Sequence, residues 1–153
     1  MKRVLRLTFA AMIMSILIAC DEKIETPQYL EVTPNNISGS WRLQSSCGES
    51  LAEGCYVYID FDRKERSFEI YQNTDSFATR YITGHFFIYT DEEAGAVIRG
   101  NYDYGHEAWT HRYVVSDLTS KRMVWRALDN PDYVDIYVRC EIPSNILASG
   151  AEL

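Results

Sequence analysis

Alternation of apolar and polar residues dominates the chain between residues 40 and 140. In YVYIDF (residues 56–61), Val, Ile and Phe occupy every second position, and SFEIYQ (residues 67–72) repeats the pattern with Phe and Ile. A period of two is typical of a β-strand that turns one face to the core. Eight such segments follow one another: 40–45, 56–61, 67–72, 79–90, 96–104, 111–118, 121–128 and 132–140. The pattern therefore predicts an all-β domain.

Short polar turns separate these segments. DRKER, TDEEAG, DYGHE, LTSK and DNPD are rich in Asp, Asn, Gly or Pro, and they are too short for the crossovers that parallel strands need. We therefore expect an antiparallel up-and-down barrel of about eight strands, because closure of the sheet removes its two exposed edges. Gly84, inside the longest segment, predicts a bulge or a bend within one strand.

The start of the chain follows a different pattern. Three basic residues precede a run of thirteen mostly apolar residues, 7–19, which at ~1.5 Å per residue is too short to cross ~30 Å of hydrocarbon. A basic start and a short apolar run indicate a secretory signal peptide. Leu17-Ile18-Ala19-Cys20 resembles the bacterial lipobox, which implies cleavage before Cys20 and acylation of its thiol. We expect a lipoprotein anchored in the cell envelope, with the outer membrane favoured and the leaflet left open.

Four parts make up the predicted domain organisation: a lipoprotein signal peptide (1–19), a lipidated tether (20–37), the barrel (38–143) and a C-terminal tail (144–153). The tether contains two prolines and an Asn pair without a period of 2 or 3.6, so we expect it to be flexible. We expect the tail to form one helical turn or to fray.

An acidic balance narrows the possible partners. The formal net charge is −7, and removal of the signal peptide with its three basic residues makes the charge more negative by three. Nucleic-acid binding needs basic patches that neutralise phosphate, so we expect no nucleic-acid partner. The same charge disfavours adhesion to anionic lipid, which leaves the lipid anchor as the link to the membrane. We expect a monomer.

Gly39-Ser40-Trp41 opens the first predicted strand and resembles the Gly-x-Trp signature of the lipocalins. In that family the tryptophan plugs the closed end of the barrel, and an arginine from the last strand stacks across it. The resemblance implies that Arg139 has this role, with a cation–π contribution of about 0.5–2 kcal/mol. The chain is similar in particular to the small lipocalin-like lipoproteins of Bacteroidetes, over about residues 37–143.

Three cysteines remain if Cys20 carries lipid. A secreted protein permits disulfides, and an odd number leaves one thiol over. Cys47 ends the first predicted strand and Cys55 begins the second, so antiparallel pairing is expected to place them opposite each other. We predict a Cys47–Cys55 disulfide, with Cys140 as a small buried thiol.

Metal-binding and catalytic patterns are weak in this sequence. The candidate metal ligands are His85, His106 and His111 with Asp103 or Glu107, but no Cys or His cluster has zinc spacing. Gly-x-Ser-x-Gly and a Gly-rich phosphate loop are both absent from the sequence. The acidic run 91–93 is interpreted as a solvated turn. We expect no metal, no cofactor and no enzymatic activity.

Aromatic residues provide the remaining indication of function. The candidates for ligand contact are Tyr71, Tyr102, Trp109, Trp125 and Tyr133, although packing of the core is the commoner role for each of them. We expect a membrane-anchored barrel that binds a small apolar or aromatic-faced ligand. The alternative is a filled barrel that acts through its loops as a protein-interaction or envelope-accessory module, for example an enzyme inhibitor. A cavity of roughly 300 Å³ or more, open opposite Trp41, favours the first reading.

Overall fold

The period-two segments form the wall of a closed barrel. The computed structural model describes residues 26–104 and 107–151; Cys20 and the predicted signal peptide lie outside this range. The described strands are β1 (Gly39–Ser46), β2 (Glu49–Ser50), β3 (Val57–Asp62), β4 (Ser67–Gln72), β5 (Arg80–Asp91), β6 (Gly95–Tyr102), β7 (Tyr113–Ser116), β8 (Arg122–Ala127) and β9 (Val134–Arg139). Two helices, α1 (Pro34–Ile37) and α2 (Ser144–Ala151), flank them.

Each barrel strand pairs antiparallel with the next one along the chain. β1 pairs with β3 on one side and with β9 on the other, which closes a barrel of eight strands, β1 and β3 to β9. The two-residue strand β2 pairs only with the end of β1. The prediction of an all-β, antiparallel, up-and-down barrel of about eight strands is confirmed. No helix in the described part of the chain is long and apolar enough to cross a membrane.

The barrel has two different ends. The turns that join β3 to β4, β5 to β6 and β7 to β8 lie at the end where β1 begins, which we call the closed end. The connections from β1 to β3, β4 to β5, β6 to β7 and β8 to β9 surround the opposite end, which we call the mouth. Large apolar side chains fill the half of the interior near the closed end; Trp41, Phe61, Phe68, Phe86, Ile98 and Met123 have almost no exposed surface.

Arg139 and α1 cover Trp41 at the closed end. The Arg139 guanidinium carbon lies 3.8 Å from the centroid of the Trp41 ring, and the two residues are direct partners in the β1–β9 register. The indole Nε1 donates to the carbonyl of Ile37 at 2.7 Å. Arg139 also donates to the carbonyls of Asn36, at 3.0 Å, and of Ser38. The packing thus satisfies the polar atoms that the buried pair brings into the core.

The end of the predicted flexible tether is ordered against the barrel, which corrects that prediction. Thr33 caps α1 by accepting from the backbone N–H of Asn36 at 3.2 Å. The Leu30 N–H donates to the carbonyl of Leu118 at 2.8 Å, and the Leu30 and Val32 side chains pack on the core. Apolar side chains every few residues, rather than a strand or helix period, hold this segment in place.

A bulge occurs in β1 instead of at Gly84. The pairing of β5 with both neighbours continues through Gly84 without a shift, whereas the β1–β9 register shifts between Leu43 and Ser45. A Cβ at Gly84 would collide with the carbonyl oxygen of Asn101 and with the Phe68 ring. Glycine is therefore required there for close packing and not for a break in pairing.

The C-terminal tail forms a helix on the outside of the barrel, which corrects the expectation of one turn or a frayed end. The Ile146 side chain is buried against Tyr58 and Tyr71, whose side chains point outward. Gly150 lets the helix approach closely, because a Cβ there would lie 2.5 Å from the Tyr71 ring. This outer cluster explains why the tail is not a free end.

The predicted Cys47–Cys55 disulfide is not formed, since both residues are free thiols, as is Cys140. The prediction assumed that the chain runs directly from the first long strand into the second. Instead, Cys47 and Gly48 adopt positive φ values of 51° and 84° and form the tight turn of a β1–β2 hairpin. Cys55 follows that hairpin, so the two cysteines are not cross-strand partners.

Candidate functional site

A cavity of about 350 Å³ occupies the half of the barrel interior that opens at the mouth. Every second residue of the strands points inward. The strands β1, β3 and β4 supply an aliphatic side, and β6 to β9 with two of their connections supply an aromatic side. The aliphatic side consists of Leu43, Val57, Ile59 and Ile70, with Leu51 from the β1–β3 connection. The aromatic side consists of Tyr102, Trp109, Tyr113, Trp125, Tyr133 and Tyr137, which we call the aromatic wall.

Trp125 stands at the centre of the aromatic wall. Its ring centroid lies 4.8 Å from that of Tyr137, 5.2 Å from Tyr113 and 5.5 Å from Trp109. These separations are typical of packed aromatic pairs. Burial raises the pKa of the Tyr113 and Tyr137 phenols, so both are uncharged at neutral pH. The wall is therefore a continuous, uncharged aromatic surface.

Trp109 reaches the cavity from a loop and not from a strand. Ala108 forms an isolated bridge with Asn101, and the backbone N–H of Trp109 donates to the backbone carbonyl of Gly100 at 2.8 Å. The indole then lies on Gly100, where a Cβ would come within 2.6 Å of Nε1. Gly100 thus makes room for the tryptophan, which is only 9% exposed.

Asp135 is the buried acid of the cavity. It lies on β9 opposite Trp125, points inward and is 5% exposed. Because of the bulge in β1, Asp135 is the register partner of Ser46 in the β1–β9 pair. Burial raises the pKa of the Asp135 carboxyl, while the Ser46 hydroxyl and, more weakly, His111 act to lower it. A carboxyl group in this position is costly for the fold unless something compensates it.

Two buried polar atoms at the cavity have no hydrogen-bond partner within the described residues. They are Oδ1 of Asp135 and Nε1 of Trp109, an acceptor and a donor. Such groups are rare in folded proteins, because each costs about 1–3 kcal/mol when it is left unsatisfied. Both belong to residues that line the same cavity.

The rim of the mouth is acidic. His111 contacts Asp129 at 2.9 Å, and this contact lowers the pKa of the Asp129 carboxyl. The His111 ring also packs on Tyr133, with centroids 5.1 Å apart. By sequence, the four connections at the mouth contain one Lys or Arg, Arg112, against seven acidic residues: Glu49, Glu53, Asp75, Asp103, Glu107, Asp129 and Asp132.

The structure brings together four of the five aromatic residues proposed from the sequence as ligand contacts. Tyr102, Trp109, Trp125 and Tyr133 line the cavity, and Tyr71 does not. Tyr71 lies on the outer face, where its hydroxyl donates to Glu69 at 2.8 Å. Its phase in the alternation of β4, one position after inward Ile70, already indicated this.

Sequence reasoning missed Asp135, Tyr113 and Tyr137. The signal was present in the last strand, where Asp135, Tyr137 and Arg139 share the phase that points inward. An acidic residue on the buried face of a strand is unusual enough to mark a site.

The proposed metal ligands are dispersed. His85 contacts Asp103 at 3.2 Å and His111 contacts Asp129, while His106 lies outside the described residues. Within residues 26–104 and 107–151, no three His, Cys, Asp or Glu side chains converge on one point. Asp91 accepts from the backbone N–H groups of Glu93 and Ala94, at 3.0 and 2.9 Å, so it stabilises its own turn.

Comparison with known proteins places the fold but not an activity. No family model and no curated protein matches the chain. The chain is similar to an NMR structure of a protein from Bacteroides uniformis ATCC 8492, with 20% sequence identity and a TM-score of 0.52. The match covers 73% of this chain and 94% of the Bacteroides protein. At this identity the likeness shows the fold alone.

Proposed function

We propose that the protein is a lipid-anchored, lipocalin-like binding protein whose barrel takes up one small ligand with an apolar or aromatic face. The observation that carries the proposal is the cavity of about 350 Å³, which opens at the end away from Trp41 and Arg139. Its volume falls in the range of about 300–1,000 Å³ that is usual for ligand sites. Aromatic side chains with a few convergent polar groups are the lining that such sites use.

The filled-barrel alternative has less support. A barrel that acts only through its loops needs no interior space, and its inward side chains are expected to touch one another across the axis. Phe68 and Met123 do fill the closed half. In the other half Val57, Ile70 and Trp125 border the cavity instead of closing it.

The proposed anchor implies an orientation of the barrel relative to the membrane. The ordered residues before β1 pack at the closed end, where Leu30 bonds to Leu118. A lipid on Cys20 would therefore tether the barrel by its closed end, as a monomer, in the cell envelope and by preference in the outer membrane. The ligand would enter from the aqueous side.

Acylation is tested separately from binding. Metabolic labelling with a palmitate analogue is expected to mark the protein, and intact mass is expected to show a chain that begins at Cys20. A Cys20→Ala variant is expected to stay uncleaved and unlabelled. If Cys20→Ala were still cleaved and still partitioned with membranes, the protein would not be anchored through a lipid on Cys20.

Ligand binding is tested by blocking the cavity. The full chain is titrated with small aromatic, aliphatic and sugar compounds, followed by calorimetry. Val57→Phe narrows the cavity, whereas Val138→Phe adds the same bulk on β9 at a position outside the cavity lining. We expect at least one class to bind, and only Val57→Phe to weaken it. Binding that neither variant changes, or no binding from any class, favours the interaction module.

A further inference from the structure

The buried carboxylate at the cavity lacks a cationic partner within the described residues. The ion pairs of the structure join Arg80 to Asp75, His85 to Asp103 and His111 to Asp129, and none of them includes Asp135. Its Oδ1 accepts no hydrogen bond within the described chain, although Asp135 is only 5% exposed. The Ser46 hydroxyl and His111 offset part of the cost of this burial, and a buried carboxyl group without a cation is otherwise stabilised by a proton.

Aromatic side chains surround this carboxylate. Trp125 faces Asp135 across the β8–β9 pair, and Tyr137 lies two residues further along the same inward face of β9. Tyr113 packs on Trp125, and Tyr133 packs on Tyr113 at 6.3 Å between centroids. The faces of such rings attract cations, and the attraction is strongest where the cation is desolvated, as in this cavity.

The charge at the mouth has the sign that attracts cations. The seven acidic residues of the four connections are all exposed. Two arginines of the strands also lie near the mouth: Arg80 pairs with Asp75, and Arg126 donates to the carbonyl of Pro131 at 2.7 Å. A concentration of one sign around a low-dielectric opening raises the local concentration of the oppositely charged ligand.

A second orphaned group restricts the ligand further. Trp109 Nε1 is a donor without an acceptor in the described chain, and Trp109 lines the same cavity as Asp135. A ligand that satisfies both groups carries a positive nitrogen and, separately, an oxygen that accepts a hydrogen bond. The aliphatic side of the cavity accommodates the hydrocarbon between them.

We propose that the cavity binds a small organic amine that also carries an oxygen acceptor, with its ammonium group against Asp135 and the aromatic wall and its oxygen toward Trp109. This inference rests on the proposed binding function and names the chemical class of its ligand.

The test compares three probes of one shape on the full chain in a non-ionic detergent. Tyramine carries the ammonium and a phenol oxygen, 4-propylphenol is nearly isosteric but uncharged, and 3-(4-hydroxyphenyl)propanoate carries the opposite charge. A charge-assisted hydrogen bond corresponds to about a 10- to 100-fold difference in affinity. We expect tyramine to bind by that factor more tightly than 4-propylphenol, and the propanoate to bind more weakly than either.

Asp135→Asn keeps the size of the side chain and removes its charge. We expect this variant to lose the preference for tyramine over 4-propylphenol while it still binds the neutral phenol. The matched control is Asp117→Asn, an exposed acidic residue with a φ of 49° at the closed end, where asparagine is tolerated. This control is expected to retain the wild-type preference.

The outcomes separate the two proposals. If 4-propylphenol binds as tightly as tyramine, or if Asp135→Asn keeps the preference, the amine inference is wrong and the binding function stands. If none of the three probes binds, and the wider panel of compounds does not bind either, both are wrong. The wild-type comparison needs no variant, so it decides the inference even if Asp135→Asn fails to fold.

Discussion

Two tryptophans of the barrel interior differ in whether the indole N–H group has a hydrogen-bond acceptor. Trp41, near the closed end, is fully buried; its Nε1 donates to Ile37 and Arg139 covers its ring. Trp109, near the mouth, is almost as buried, yet its Nε1 has no partner in the described chain and its ring borders a cavity. One end of the barrel is packed and satisfied, and the other is open and has unused hydrogen-bonding capacity. Stability is therefore expected to reside mainly at the closed end and recognition at the mouth.

The largest expected effect comes from removing the closed-end tryptophan. Trp41→Ala leaves a cavity in a densely packed region and is expected to lower the free energy of unfolding by about 3–5 kcal/mol. Urea unfolding followed by far-UV circular dichroism measures it. Trp109→Ala is the matched variant at the mouth, where the loss is expected to be smaller by more than about 1 kcal/mol. Equal losses of stability in the two variants would mean that the closed end contributes no more to stability than the mouth.

Arg139→Ala is expected to have the next largest effect, about 2–3 kcal/mol, because it removes the cation–π contact and leaves the carbonyls of Asn36 and Ser38 without their donors. Arg139→Lys keeps the charge but not the planar fork, so it is expected to recover only part of the loss. The control is Arg42→Ala on the exposed face of β1, which is expected to change stability by less than about 0.5 kcal/mol. Thermal and urea unfolding of all three variants would show whether the guanidinium is more than a surface charge.

Gly100→Ala tests the contact that holds the mouth tryptophan in place. The added methyl group occupies the position of the Trp109 indole, so we expect a loss of about 1–3 kcal/mol together with a shift in Trp109 fluorescence. Asn101→Ala, at the next and outward-facing position of β6, is the control. An unchanged emission spectrum in Gly100→Ala would mean that the indole does not lie on Gly100 in solution.

Asp135→Asn is expected to have the smallest effect and the opposite sign. Burial raises the pKa of Asp135 in the folded protein above its value in the unfolded chain, so the folded state holds the proton more readily. Through this group the free energy of unfolding falls as the pH rises from the unfolded-state pKa to the folded-state pKa. The variant is therefore expected to be more stable than wild type at pH 7, and the difference is expected to shrink toward about pH 3, where the carboxyl is protonated in both states.

Thermal unfolding of wild type, Asp135→Asn and Asp117→Asn across that pH range measures the difference. The wild-type curve alone is not sufficient, because Asp62, Asp91 and Asp129 have lowered pKa values and change stability in the opposite direction. A variant that is less stable than wild type at neutral pH would mean that the Ser46 hydroxyl and His111 stabilise the charged carboxyl by more than its burial costs. The mouth would then contain a stabilising polar contact, as the closed end does.

The barrel was predictable from the pattern of apolar and polar residues alone. An apolar residue at every second position decides which face of each strand is buried, and short turns permit only antiparallel neighbours, so the eight strands and their order were readable. The phase of β4 also placed Tyr71 outside. These features are local, because each depends on residues that are close together along the chain.

The division of the interior into a filled half and a cavity was not predictable from the sequence. The cavity depends on how side chains from eight strands meet across the axis, and Trp109 enters it from a loop that has no period. The Asp135 carboxyl has no cationic partner because no other strand or loop of the described chain places a cation beside it. The surface on which Ile146 of α2 packs, beside Tyr58 and Tyr71 on the outer face of the barrel, depends in the same way on strands distant along the chain. These are long-range contacts, and the period of a strand does not record them.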